Sequence, residues 1–107
     1  PEAVYRTHRH GNPFAYTLAD LEPGAAHTVR LHFCETWATG PNKRRFHIEI
    51  NGVRVLTNLD VFAVTGGQFR AHVETFTATA DAGGVIKIDF LIGTKNRPFV
   101  SGVELWR

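Results

Sequence analysis

Apolar and polar residues alternate with a period of two along most of this chain. Val29, Leu31 and Phe33 fall on one face of an extended segment, with Thr28, Arg30 and His32 on the other. Phe46, Ile48 and Ile50 alternate with His47 and Glu49. Asn51-Gly52 follows at once, and then Val53-Arg54-Val55-Leu56. An Asn-Gly pair between two alternating runs predicts a tight hairpin, because a type I′ turn needs positive φ at both central positions. Ile86, Ile88, Phe90 and Ile92 alternate with Lys87, Asp89 and Leu91, fed by the turn Asp81-Ala82-Gly83-Gly84.

Further strands are predicted over Val4 to Arg9, Phe14 to Leu18, Phe69 to Thr79 and Phe99 to Trp106. The alternation of the third slips near Glu74–Phe76, which predicts a bulge there, and Gly102 marks a second candidate bulge in the last. Leu18 to Leu21 and Asn58 to Val64 each have room for a single helical turn. Eight short strands joined by turns rich in Gly, Pro and Asn predict an all-β fold, an antiparallel β-sandwich of jelly-roll type.

The length of 107 residues suits one domain, read as 1–107. At 43% hydrophobic and 21% charged, the chain can bury a core, and disorder is not expected. No apolar run approaches the ~20 residues of a membrane span. The absence of any methionine and the abrupt start at Pro1-Glu2 suggest a module of something longer. Twelve cations, nine of them arginine, are scattered among ten acidic residues. A net +2 without a basic stripe argues against nucleic acid as a partner.

The single cysteine, Cys34, excludes an internal disulfide and a Cys-based zinc cage. A thiol nucleophile would need a base and a lowered pKa. His32 shares its strand face with Cys34, but a small buried hydrophobe is the simpler reading. His8-Arg9-His10 would turn two imidazoles to one face of a strand. No carboxylate follows in Gly11-Asn12-Pro13-Phe14-Ala15-Tyr16, so neither a metal nor another cofactor is expected. Glycoside hydrolysis needs two opposed carboxyl groups, and the spacing of Glu35, Asp60, Glu74 and Asp89 makes no pair. No enzymatic activity is expected.

The aromatic residues say more. Trp37 sits in the loop-like stretch Glu35-Thr36-Trp37-Ala38-Thr39-Gly40-Pro41-Asn42. A tryptophan on a loop either closes the end of the sandwich as a lid or offers a face on which the C–H groups of a pyranose stack. A sugar's hydroxyl rim calls for amides and charges, which Lys95, Asn96 and Arg97 supply on a second loop. Trp106, at the end of the last strand, is read as packing.

Val4-Tyr5-Arg6-Thr7-His8-Arg9-His10-Gly11, Val29-Arg30-Leu31-His32-Phe33-Cys34-Glu35 and Arg45-Phe46-His47-Ile48-Glu49-Ile50-Asn51-Gly52, with Leu59-Asp60-Val61-Phe62 and Asn96-Arg97-Pro98-Phe99-Val100-Ser101-Gly102-Val103-Glu104-Leu105, resemble malectin and the malectin-like carbohydrate-binding modules. The resemblance runs from Val4 to Leu105. It implies a non-catalytic lectin whose site is built from loop aromatics and an aspartate at one edge of a sandwich. Carried over by position, the family's site falls on His10, Trp37, Ala38 and Asn96, so one aromatic platform is kept, one is lost and the carboxylate has become an amide. The candidate ligand-contacting set is Trp37, Asn96, His10, Lys95, Tyr5 and Arg97. The implied partner is an oligo- or polysaccharide containing glucose. A protein-interaction sandwich within a larger secreted protein is the alternative. The resemblance also implies a secreted bacterial module in preference to a lectin of the endoplasmic reticulum. Strands that precede Tyr5 in the family are missing, so an open sheet edge is expected to draw a second copy into a homodimer.

Overall fold

The computed structural model describes the backbone of residues 2–5 and 9–106 and the side chains of residues 11–106. The described strands are β1 (Glu2–Tyr5), β2 (Arg9–His10), β3 (Phe14–Leu18), β4 (Ala26–Cys34), β5 (Arg45–Ile50), β6 (Val53–Leu59), β7 (Ala71–Thr79), β8 (Ile86–Lys95), β9 (Phe99–Val100) and β10 (Gly102–Trp106). One short helix, α1 (Val61–Thr65), occupies the second of the two stretches with room for a helical turn. Every strand pairing is antiparallel. One sheet has the order β1-β10-β4-β7, the other β3-β8-β5-β6, and β2 pairs with β9 in a separate two-stranded ladder. The molecule is a β-sandwich.

The period of two explains the packing. Val29, Leu31 and Phe33 of β4 and Val103 and Leu105 of β10 face Phe46, Ile48 and Ile50 of β5 and Ile86, Ile88 and Phe90 of β8, all buried in one core. Five phenylalanines knit it: Phe46 lies 5.9 Å from Phe33 and 5.5 Å from Phe99 between ring centroids, and Phe14 stacks on Phe90 at 4.8 Å. The Asn51-Gly52 hairpin forms with φ of 47° and 79°, the positive pair that a type I′ turn requires.

Three expectations are corrected. The strand read over Val4 to Arg9 is two strands in different sheets, and residues 6–8, His8 among them, lie outside the described residues. The closing strand divides in step. The break falls at Ser101, one residue before Gly102, where the Ser101 N–H donates to the His32 carbonyl at 2.8 Å. Among the described residues ten strands therefore stand where eight are expected. β7 has no bulge: it pairs with β4 in unbroken register from Ala26↔Thr79 to Cys34↔Ala71. Its apolar pattern slips because it is an edge strand. Val73 faces outward, and Glu74 turns inward at the margin, where it meets His72 at 2.6 Å. The bulges lie in the β5–β6 and β5–β8 pairings. Ile92 keeps register opposite Phe46, at the end of the buried row just before the second bulge, and is 46% exposed.

β1 pairs with β10, so the two terminal strands lie side by side and β1 itself forms the outer edge. Among the described residues, no helix is long and apolar enough to cross a membrane.

Candidate functional site

The starts of β5 and β7 and the ends of β4, β6 and β8 gather at one end of the sandwich, and three connections meet there. The turn after β4 is organised by Glu35. Glu35 continues the buried row of Val29, Leu31 and Phe33 and is only 1% exposed. Its Oε2 accepts hydrogen bonds from the backbone N–H groups of Trp37 at 3.1 Å and Ala38 at 3.2 Å. Its Oε1 lies 3.0 Å from Nε of Arg44 in a buried ion pair. A carboxylate away from water is costly unless paired, and here both oxygens are engaged.

Arg44 completes the hub. It stands one step before the buried row of Phe46, Ile48 and Ile50, and parity turns it inward. Its Nη1 donates to the Arg97 carbonyl at 3.3 Å, and its guanidinium carbon lies 5.2 Å from the Trp37 ring and 4.6 Å from the Phe99 ring. Burial pulls the Arg44 pKa below its usual value, with Glu35 opposing. One cation thus joins the Trp37 turn, the Arg97 turn and β9.

Trp37 is 52% exposed, its ring backed by Arg44, whereas Ala38 is 1% exposed and offers no surface. Lys95, Asn96 and Arg97 are all exposed. Asn96 has a φ of 58°, and its Oδ1 accepts the Arg97 N–H at 2.9 Å, so part of this amide shapes its own turn. The backbone of His10 pairs with Phe99, and the Gly11 N–H reaches the Pro98 carbonyl at 3.3 Å, which brings β2 beside the same turn. Tyr5 ends β1 opposite Val103. The side chains of Tyr5 and His10 lie outside the described residues. The structure therefore joins Trp37 to the Arg97 turn through Arg44 and sets His10's strand alongside.

Glu35 and Arg44 are absent from the candidate set read from the sequence. Phe69 is absent too. It is 68% exposed on the turn before β7. Parity would have found the first two; nothing in the chain pattern singles out the third.

The four carboxylates considered for acid–base work all have partners. Glu35 meets Arg44, and Glu74 meets His72. Asp89 lies 3.6 Å from Lys87. Asp60 accepts the Ala63 N–H as the N-cap of α1 at 3.0 Å and the Asn42 N–H at 2.6 Å. His32 is turned to Glu104 through its Nε2. Among the described residues, no three His, Cys, Asp or Glu side chains are grouped to hold a metal. A groove of about 310 Å³ lies at the other end, between Ile50, Val53 and Val55 on one side and Phe76 and Ala78 on the other, and includes none of the candidate residues.

The sequence profile of the Malectin domain matches residues 1–103. A probable receptor-like protein kinase of Arabidopsis thaliana is 28% identical over 93 residues, which is 82% of this chain and 11% of that protein. The crystal structure of the ANX2 ectodomain from Arabidopsis thaliana superposes with a TM-score of 0.80 at 21% identity, over 89% of this chain and 28% of that one. The crystal structure of the plant peptide RALF23 in complex with FER and LLG2 has a chain that superposes with a TM-score of 0.78 at 21% identity, over 88% of this chain and 27% of that one. The chain thus spans about a tenth of the length of the kinase and about a quarter of the solved chains. With its two antiparallel sheets and a profile match across nearly its whole length, the chain belongs to the malectin domain family, a β-sandwich of the carbohydrate-binding type.

Proposed function

We propose that this domain binds a glycan at its loop end and does not transform it. The observation that carries the reading is Trp37: an indole half open to solvent, backed by a buried cation that also bonds the turn carrying exposed Lys95, Asn96 and Arg97. An aromatic face with amide and cationic neighbours suits a pyranose, whose C–H patch stacks while its hydroxyls bond around the rim. His10 and Tyr5 complete the proposed contacts from β2 and β1. The ligand proposed is a glucose-containing oligo- or polysaccharide, and the setting is an extracellular part of a larger, multidomain protein. That relatives of this fold include a plant receptor ectodomain is consistent with an extracellular role. The proposal includes a homodimer formed across the β1 edge, to be read by sedimentation over a wide concentration range.

The test is a glycan array followed by titration with tryptophan fluorescence. Trp37→Ala is expected to weaken sugar binding by roughly 1–2 kcal/mol and to leave the unfolding midpoint nearly unchanged, because an exposed loop ring contributes little to the core. A large loss of stability with unaltered binding would mean that Trp37 serves the fold.

A second reading is protein or peptide recognition by the same face. It is favoured by one observation, the similarity to a chain in the structure of a peptide complex. An array without any sugar ligand, together with binding of an extended peptide that Trp37→Ala abolishes, would select it.

A further inference from the structure

Ala38 offers no aromatic surface, but the adjoining turn does. Phe69 is the most exposed large hydrophobic side chain among the described residues, at 68%. Its backbone N–H donates to the Glu35 carbonyl at 2.8 Å, and the Gln68 side-chain amide donates to the Thr36 carbonyl at 2.8 Å. The turn carrying Phe69 is thereby bonded to the two residues that lead into Trp37. Arg70 braces the turn from behind: its Nη1 reaches the Thr65 carbonyl at 3.2 Å, and a Cβ on Gly67 would meet its Nε at 3.0 Å. Phe69 also holds a φ of 61°, a left-handed conformation that a bulky residue rarely adopts. Nothing in the core requires a ring there, and a glycine would hold that backbone without strain.

We propose that Phe69 forms a second sugar-stacking subsite beside Trp37 and takes a neighbouring pyranose unit of the same oligosaccharide. This rests on the reading of Trp37 as a sugar platform and adds a second ring from a different turn. Two stacking faces on turns that are bonded together would favour chains over single sugars. Gln68, whose amide nitrogen holds Thr36, and the solvent-facing edge of Arg70 border the ring with polar groups suited to hydroxyls.

The test uses methyl glucoside as the single-ring probe and maltotetraose and cellotetraose as the longer ones, titrated against the wild-type domain, Phe69→Ala, Phe69→Gly, Phe69→Trp and Trp37→Ala. The wild type is expected to bind a tetraose more tightly than the single ring. Phe69→Ala and Phe69→Gly should remove roughly 3- to 10-fold of tetraose affinity, the scale of one aromatic stacking contact, and leave methyl glucoside binding unchanged. Phe69→Trp should retain the preference. Phe69→Gly should at the same time raise the unfolding midpoint by a few degrees, an effect opposite in sign to that of removing a packing residue. If Trp37→Ala abolishes binding while Phe69→Ala and Phe69→Gly keep the full tetraose preference, the second subsite is wrong and the Trp37 reading stands. If no probe binds the wild type, both readings fall together.

Discussion

The Glu35 carboxylate and the Arg44 guanidinium meet 3.0 Å apart under an exposed tryptophan, each continuing the buried row of a facing sheet. The pair fixes the Trp37 turn through the Trp37 and Ala38 N–H groups and the Arg97 turn through its carbonyl. Removing one partner strands the other charge in the interior. Glu35→Ala is expected to cost about 3–5 kcal/mol, read by urea unfolding, whereas Glu35→Leu combined with Arg44→Met should come much closer to the wild type. A single variant within about 1 kcal/mol of the wild type would show that the pair is solvated and contributes little.

At the opposite end of β5, Asn51 links the two sheets. Its Nδ2 donates to the Thr79 carbonyl at 3.0 Å and to the Val85 carbonyl at 3.3 Å, and its Oδ1 accepts the Lys87 N–H at 2.7 Å. Asn51→Ala loses these bonds and puts a Cβ residue without a local hydrogen-bonding side chain at a φ of 47°. A loss of about 2–3 kcal/mol is expected. Asn51→Gly should recover the backbone part alone. Equal losses in the two variants would show that the backbone conformation costs nothing here.

His47 ties stability to pH. The Asn58 N–H donates to its Nδ1 at 2.9 Å, a bond that needs a neutral ring. Burial, and then Arg54, holds the His47 pKa below the usual histidine value, with Glu49 opposing. A folded-state pKa below the unfolded one gives stability that is complete above about 6.5 and is lost as the pH falls through the folded value. Between pH 7.5 and 5 the wild-type unfolding midpoint should fall more steeply than that of His47→Gln. Parallel profiles would remove His47 from the account.

Sugar binding should be nearly flat in pH if Asn96 has the role that a carboxylate would otherwise fill, because an amide does not titrate. Titrations from pH 4 to 7.5 check this. A collapse through about 6.5 would assign the dependence to a histidine, with His10 the first to mutate. A collapse near about 4 would point to a carboxylate instead.

Much of the fold was legible because period two maps directly onto burial. The rows of β4, β5 and β8 and the Asn51-Gly52 hairpin all stand as their patterns predict. The pattern misled at Glu74, since an edge strand can turn a charge inward at the rim without desolvating it fully. It misled at Ile92, which keeps register opposite Phe46 yet stands 46% exposed at the end of its row. In the loop cluster, composition pointed to Trp37, Lys95, Asn96 and Arg97 but could not say what holds them. Glu35 and Arg44 were visible in parity, yet a charge on a core row reads as an exception until its opposite is found across the sandwich. Phe69 carries no pattern at all. Its turn is joined to the Trp37 turn by two hydrogen bonds between segments far apart in the chain.

Asn51 ties the sheets at one end, while the rings stand on turns at the other. Substitution of the exposed rings on those turns therefore leaves the bonds that join the sheets at the far end untouched.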